Sequence, residues 1–281
     1  MLTRDQIAMV SVPNDGIMEE ATNAYLVGDA GWQRVVVVDP GSKAGVETVV
    51  AALDELGNPK VEAIWLTHAH PDHAGGAAEL RDRLGAPTWM HPAELPVAER
   101  MGVHFPLDDE LAGGELLEAA GRPFDVLLTP GHAVGHVVFI ERSSGLTLAG
   151  DMVHGAGTIG IFPPYGSMEA YLDSLQRMLD HGVSVLLPGH GPIIEDGPAL
   201  LRRYIAHRLN REREILEEVA AGVDTIPVMV EHLYPVILPH NVRAAQATVL
   251  AHLNKLIAEG KVVREGSGET SKYYLAPSAS A

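Results

Sequence analysis

The sequence predicts an α/β protein with a small, helix-rich unit at its C-terminal end. Three observations carry this expectation. Up to Pro198, short β-branched runs alternate with amphipathic stretches of helical period. Beyond it the pattern turns helical and charged, then closes on two β-like runs. The charge balance shifts near the same place: from Arg208 onward there are 8 Lys and Arg against 9 Asp and Glu, leaving 12 against 28 before it. The expected division is therefore residues 1–206 and residues 207–281. A chain of 281 residues that is 46% hydrophobic has enough apolar material for one large core and an appendage.

Asn23–Val27 and Arg34–Val38 read as strands of a hairpin around Gly28-Asp29-Ala30-Gly31, the second buried on both faces. After Asp39-Pro40-Gly41, Ser42 is placed to cap a helix that carries Val46, Val49, Val50, Leu53 and Leu56 on one face. Gly57-Asn58-Pro59 stops it. A strand over Val61–Thr67 leads into a His-rich turn and a helix through Glu79, Leu80 and Leu84. Strands near Pro87–Met90 and Phe124–Leu128 follow, separated by irregular acidic sequence. A second hairpin pairs Val137–Glu141 with Leu146–Ala149. Met168–Leu179 reads as an amphipathic helix, and Val183–Leu187 as a buried strand that stops at Pro188-Gly189-His190-Gly191. Arg202–Ala221 holds neither Gly nor Pro and reads as a long helix. Helices over Ile226–Leu233 and Asn241–Glu259 follow, then a hairpin of Val262–Arg264 with Ser271–Leu275. Three helices closed by a hairpin make a winged-helix plan. The Ser278–Ala281 tail is expected to fray.

Composition excludes several function classes. There is no Cys, hence no disulfide, thiolate ligand or Cys nucleophile. A net charge of −17 repels polyanions at long range, against a general nucleic-acid-coating role. No stretch of apolar residues is long enough to span a membrane, and Met1–Gln6 carries no apolar run of a secretory signal. A soluble, cytoplasmic protein is the expectation.

The sharpest feature is Thr67-His68-Ala69-His70-Pro71-Asp72-His73, directly after a strand. In extended chain, residues i and i+2 share a side, so His68 and His70 can grip one ion. Asp72 and His73 follow where the chain turns into a helix and can face a second. Packing these titratable groups together without a ligand would cost desolvation with no return. Imidazole and carboxylate donors suit zinc, Fe(II) or Mn(II). Further candidates sit beside Gly at expected strand ends: His132, Asp151 and His190. His91, His104, His181, His232 and His252 read as surface or core residues.

These residues resemble the metallo-β-lactamase superfamily. His68, His70, Asp72 and His73 match its signature, and His132, Asp151 and His190 match its later motifs in order. The resemblance implies an αββα sandwich with two divalent metal ions at one edge. His68, His70 and His132 would bind the first ion, Asp72, His73 and His190 the second, and Asp151 would bridge both. Asp39 matches an acid that supports the site from outside. Gly150–Met152, Gly155–Thr158, Pro188–Pro192, Tyr204–Arg208 and Asn254–Val262 also resemble the β-lactamase-like protein 2 subfamily, which contains an endoribonuclease and relatives that cleave acyl thioesters.

Zinc is the expected metal, with iron or manganese as alternatives. Two ions about 3.5–4 Å apart hold a bridging hydroxide near neutral pH and stabilise the oxyanion that its attack creates. Asp72 is placed both as a ligand and as the catalytic group that orients the nucleophile or passes on its proton. His136 and His154 are weaker candidates, as support or proton donors, and Phe162 and Tyr165 as parts of an apolar wall. The leading expectation is hydrolysis of a small-molecule acyl ester or thioester. Cleavage of single-stranded RNA is the alternative, and a non-catalytic winged-helix binding protein the third. The tail is expected to shape the active-site rim or form a homodimer contact, not to read DNA. The reason is that the Asn241–Glu259 helix carries only Arg243 and Lys255 as cations.

Overall fold

The computed structural model describes residues 2–14 and 21–277, so Ser278–Ala281 lies outside the described residues. Among the described residues, a seven-stranded sheet runs in chain order: β1 (Leu2–Arg4), β2 (Ile7–Pro13), β3 (Ala21–Gly28), β4 (Arg34–Val38), β5 (Lys60–Trp65), β6 (Thr88–Met90) and β7 (Asp109–Glu110). The first four pair antiparallel and the remainder parallel. A five-stranded sheet holds β8 (Leu116–Ala119), β9 (Arg122–Leu128), β10 (Val137–Glu141), β11 (Thr147–His154) and β12 (Leu186–His190), with β11 and β12 parallel at one edge.

The two sheets face each other. Tyr25, Val36, Val38 and Trp65 from the first interdigitate with Phe124, Phe139, Leu148 and Leu187 from the second. The outer face of the first sheet is covered by α1 (Val46–Glu55) and α3 (Ala77–Leu84), which follows a short α2 (Pro71–Ala74), together with α4 (Leu95–Arg100). The outer face of the second packs on α5 (Met168–His181) and α6 (Gly197–Ala220). This is the αββα sandwich. Each sheet face is apolar on both sides, which explains why the β-branched run of β4 is buried throughout.

α6 passes unbroken through residues 206 and 207. Its second half packs with α7 (Ile226–Leu233), α8 (Val242–Ala258) and the hairpin of β13 (Val262–Glu265) with β14 (Lys272–Leu275). Ile215, Val249, Leu253, Leu256 and Tyr273 are fully buried in this second core. Ala251 of α8 turns the other way and joins Leu200, Leu201 and Tyr204 in the core under the second sheet.

Several local readings change. Ser42 precedes a 3₁₀ turn but caps nothing, because its hydroxyl donates to Pro13 O at 3.0 Å. The strand expected to stop before Pro188 runs through it to His190. β12 lies at a sheet edge, where the missing N–H breaks no ladder. The Leu146–Ala149 strand extends to His154, so Asp151 lies inside a strand and not at its end. Gly150 permits this with φ +47, and a Cβ there would lie 2.7 Å from both His136 Nε2 and Thr67 Oγ1. Strands β1, β2, β7 and β8 and helix α4 had no expectation, being short or irregular in pattern.

Candidate metal centre

The site is assembled from loops at one edge of both sheets. The segment after β5 carries His68 and His70 in extended chain, and α2 carries Asp72 and His73. The loop after β9 supplies His132, β11 supplies Asp151 and the last residue of β12 is His190. His68 and His73 are fully buried, while Asp72, His132, Asp151 and His190 are nearly so.

Ring tautomers follow from the outer partners. Asp39 Oδ2 accepts the Thr67 hydroxyl at 2.7 Å, so Thr67 Oγ1 is left to accept from His68 Nδ1 at 2.9 Å. His132 Nδ1 donates to Gly160 O at 3.0 Å, His190 Nδ1 to Ala21 O at 2.9 Å and His73 Nδ1 to Asp39 Oδ2 at 3.0 Å. Each of these imidazoles therefore turns an Nε2 lone pair inward. His68 Nε2 and His132 Nε2 both lie 3.0 Å from His70 Nδ1. A single proton on His70 can satisfy only one of them. On the other side, His73 Nε2 lies 3.4 Å and His190 Nε2 3.6 Å from Asp151 Oδ1. His190 Nε2 is also 3.3 Å from Asp72 Oδ2. Asp151 Oδ2 meanwhile lies 3.5 Å from His132 Nε2. One carboxylate thus faces two clusters of donors, one oxygen to each.

The electrostatics separate the two clusters. Burial, then the neighbouring imidazoles, holds His68 well below its ordinary pKa, and burial with His132 lowers His70 to about 3. These rings are neutral and ready to donate lone pairs. Burial also opposes charge on His73 and His190, but the Asp151 and Asp72 carboxylates outweigh it and raise both. Asp151 is held well below the usual carboxylate range: burial pushes it up, and His73 and His190 overcome that. The second cluster thus wants a positive charge between its rings and carboxylates.

Divalent ions fit this donor set. His73 Nε2 and Asp151 Oδ1 are buried with no hydrogen-bond partner among the described residues. Such unpartnered atoms in a polar centre are suited to a cation. The 3.0 Å separations of His70 Nδ1 from His68 Nε2 and from His132 Nε2 are near the roughly 3.3 Å edge of a tetrahedron with zinc–nitrogen bonds of about 2.0–2.1 Å. His68, His70, His132 and Asp151 form one group of converging ligand atoms, and Asp72, His73 and His190 another. Asp39 also converges with His68 and His73, yet its oxygens are already engaged by Thr67 N at 2.8 Å, Thr67 Oγ1 and His73. It steers ligands from outside. Its φ of +49 is strained for a residue with a Cβ but tolerated by Asp.

A cavity of about 320 Å³ opens over these groups, lined by His70, Asp72, His132, Asp151 and His190 and walled by Pro71, Met101, Ile159 and Phe162. His154 lines it too, stacked on His190 with ring centroids 6.0 Å apart. His136 does not reach it. Its Nε2 accepts Asp151 N–H at 3.1 Å and its Nδ1 meets Thr129 Oγ1 at 2.9 Å, so it braces the β11 backbone from below. Tyr165 packs on the outer core of the first sheet with the Arg100 guanidinium 5.8 Å over its ring, away from the cavity lining. His91, His104, His181, His232 and His252 line no part of it.

Glu94 was not foreseen. It is fully buried; its Oε2 accepts Ala69 N–H at 2.9 Å and its Oε1 accepts Gly135 N–H at 2.7 Å. It ties the loop of His68 and His70 to the loop of His132. Burial raises its pKa, opposed by these two N–H groups. No local sequence signal marks it, since its partners lie 25 and 41 residues away in the chain.

Comparison with known proteins identifies the family. Residues 225–271 match the Beta-lactamase associated winged helix domain. A Beta-lactamase-like protein 2 homolog of Drosophila melanogaster is 28% identical over 98% of this chain and 96% of its own length. An Atrochrysone carboxyl ACP thioesterase of Aspergillus chevalieri is 27% identical over 92% of this chain and 83% of its own. A metallo-beta-lactamase family protein from Thermus thermophilus superposes with a TM-score of 0.80 at 29% identity, covering 97% of this chain and 99% of that one. Residues 17–190, which contain every ligand candidate of the centre, match the Metallo-beta-lactamase superfamily, and the chain belongs to that superfamily of hydrolases.

Proposed function

We propose that the protein is a dinuclear metallohydrolase of an acyl thioester or ester, with zinc as its metal. The observation that carries this reading is the Asp151 carboxylate, whose two oxygens face the His132 and the His73–His190 sides separately. In it, His68, His70 and His132 would hold one ion, Asp72, His73 and His190 the second, and Asp151 would take part in both. Two divalent ions supply Lewis acidity and a water of lowered pKa at neutral pH.

The side chains of this chain do the remainder. Asp72 borders the cavity, its side chain nearly buried and held at 3.3 Å from His190. It orients the attacking water and accepts its proton. Met101, Ile159 and Phe162 exclude solvent and receive an apolar acyl group. His154 lies beside His190 at the cavity wall, within reach of a leaving group. The lining contains no Lys or Arg, so an RNA phosphodiester would meet no side-chain cation there beyond imidazole. That favours a carbonyl substrate, as does the thioesterase relative.

The test uses zinc-loaded full-length protein with acyl thioesters of N-acetylcysteamine of increasing chain length, and with short single-stranded RNA. Thioester hydrolysis that improves with acyl length is expected. Asp72→Asn should lower kcat by about 10²- to 10⁴-fold. RNA cleavage with thioesters left intact would reverse the assignment.

A further inference from the structure

A second cavity, of about 540 Å³, adjoins the metal pocket on the winged-helix side. The two share a wall: Phe162 lines the metal cavity and its neighbour Pro163 lines this one. The wall is fastened to the winged helix, because Ile161 N donates to Thr248 Oγ1 of α8 at 3.3 Å. The rest of the lining comes from α7, α8 and the hairpin, with Arg243 and Gln246 on α8 facing Arg264 and Ser271 on the hairpin.

The charge of this cavity is opposite to that of the molecule. In a chain of net −17, its lining holds two guanidinium groups and no carboxylate among the described residues. Some exposed arginines elsewhere are neutralised, as Arg83 by Glu47 at 2.6 Å and Arg142 by Asp125 at 2.6 Å. Among the described residues, neither Arg243 nor Arg264 is in an ion pair. Arg264 is instead held by its Nε–H, which donates to Ser271 Oγ at 2.8 Å, while that hydroxyl donates to Gly268 O at 2.8 Å. The guanidinium is fixed by one of its five N–H groups at the cavity edge. Two cations, an amide and an apolar floor of Ile226, Pro227 and Leu250 make a pocket for a phosphate ester attached to a longer, partly apolar arm.

We infer that the cavity between α8 and the hairpin binds the phosphate at the far end of the thioester substrate, whose acyl end enters the metal pocket across the Phe162–Pro163 wall. This rests on the thioester reading above. The phosphate ester is common to a free nucleotide-bearing thiol carrier and to a pantetheine arm carried on a larger partner. The winged helix thereby becomes a substrate-carrier site and not a nucleic-acid reader.

The experiment compares zinc-loaded wild type with the Arg243→Gln, Arg264→Gln double variant. The same acyl group is presented on N-acetylcysteamine, on 4′-phosphopantetheine and on coenzyme A. The variant should lose about ten- to a hundredfold in kcat/KM on the 4′-phosphopantetheine ester, through KM, as expected for lost charge-assisted contacts. Its rate on the N-acetylcysteamine ester should not change. An equal loss on both, or no loss on any of the three esters, overturns the inference. A loss confined to the coenzyme A ester assigns the pocket to the nucleotide's own phosphates and still supports it. Calorimetry with 4′-phosphopantothenate, which has no thioester, separates this site from the chemistry. Binding to wild type that the variant loses supports the pocket even if no thioester is cleaved, an outcome that would defeat only the hydrolase reading. Binding that the variant retains overturns the pocket. Loss in the variant of single-stranded RNA binding alone overturns it in favour of nucleic acid.

Discussion

At the scale of single residues, the centre depends on carboxylates that serve two neighbours at once. Asp151 is the inner example, with Oδ1 toward His73 and His190 and Oδ2 toward His132. Asp151→Asn keeps the shape but removes the charge and one acceptor. Under the dinuclear reading, elemental analysis after zinc reconstitution should show both ions depleted together; loss of one with the other at full occupancy would contradict a bridge. Glu94 is the outer example, bonded to Ala69 N and Gly135 N in a dry setting. Glu94→Gln keeps only one acceptor oxygen and leaves a buried N–H unsatisfied, at a cost of about 1–3 kcal/mol. Urea unfolding should register that loss, with a weakened zinc affinity because the two ligand loops are no longer tied. A neutral result in both measurements would mean the clamp is unimportant.

At the scale of elements, the winged-helix helices reach into the metal centre through one short segment. Arg208 of α6 donates from its guanidinium to Ile159 O, and Thr248 of α8 accepts from Ile161 N. Between these two residues, Gly160 O accepts from His132 Nδ1. The backbone that orients a ligand candidate is therefore pinned on both sides by the C-terminal helices. Thr248→Val has the same shape but no acceptor for the buried Ile161 N–H. Unfolding should show destabilisation of about 1–3 kcal/mol, and zinc titration a weaker site on the His132 side. An unchanged zinc affinity would show that the segment holds its place without α8. On α8, Lys255 is occupied by Glu212 at 2.9 Å, which leaves Arg243 as its cation outside ion pairs among the described residues.

At the scale of the whole molecule, a division at residue 206 would pass through the middle of α6. Upstream of it, Leu200, Leu201 and Tyr204 are buried under the second sheet with Ala251 from α8. Downstream, Ile215 and Val219 belong to the tail's own core. One helix serves both, so α6 joins the two cores. A fragment ending at Ala206 should expose this apolar surface. Size-exclusion chromatography should show aggregation, and residual soluble material should be less active than the full chain. A monomeric, fully active fragment would overturn this reading.

The α/β class, the helix-and-hairpin tail and the crowded group His68, His70, Asp72 and His73 are legible from the residues alone. These rest on local rules: β-branched runs make strands, a 3.6-residue period makes helices, and neighbours two apart in extended chain share a side. The sequence also named His132, Asp151 and His190, through Gly-flanked positions and a family resemblance, but put Asp151 at a strand end. Only the tertiary structure set Asp151 within β11, between two groups of inward lone pairs, because that position depends on the pairing of β11 with β12 and on Gly150. It also took Tyr165 off the cavity wall, set His136 as a brace on the β11 backbone, brought Glu94 under the loops of His68, His70 and His132, and joined Arg243 to Arg264 across a pocket. Each of these is a meeting of residues distant in the chain, fixed by how sheets and helices pack, and no periodicity within one segment encodes it.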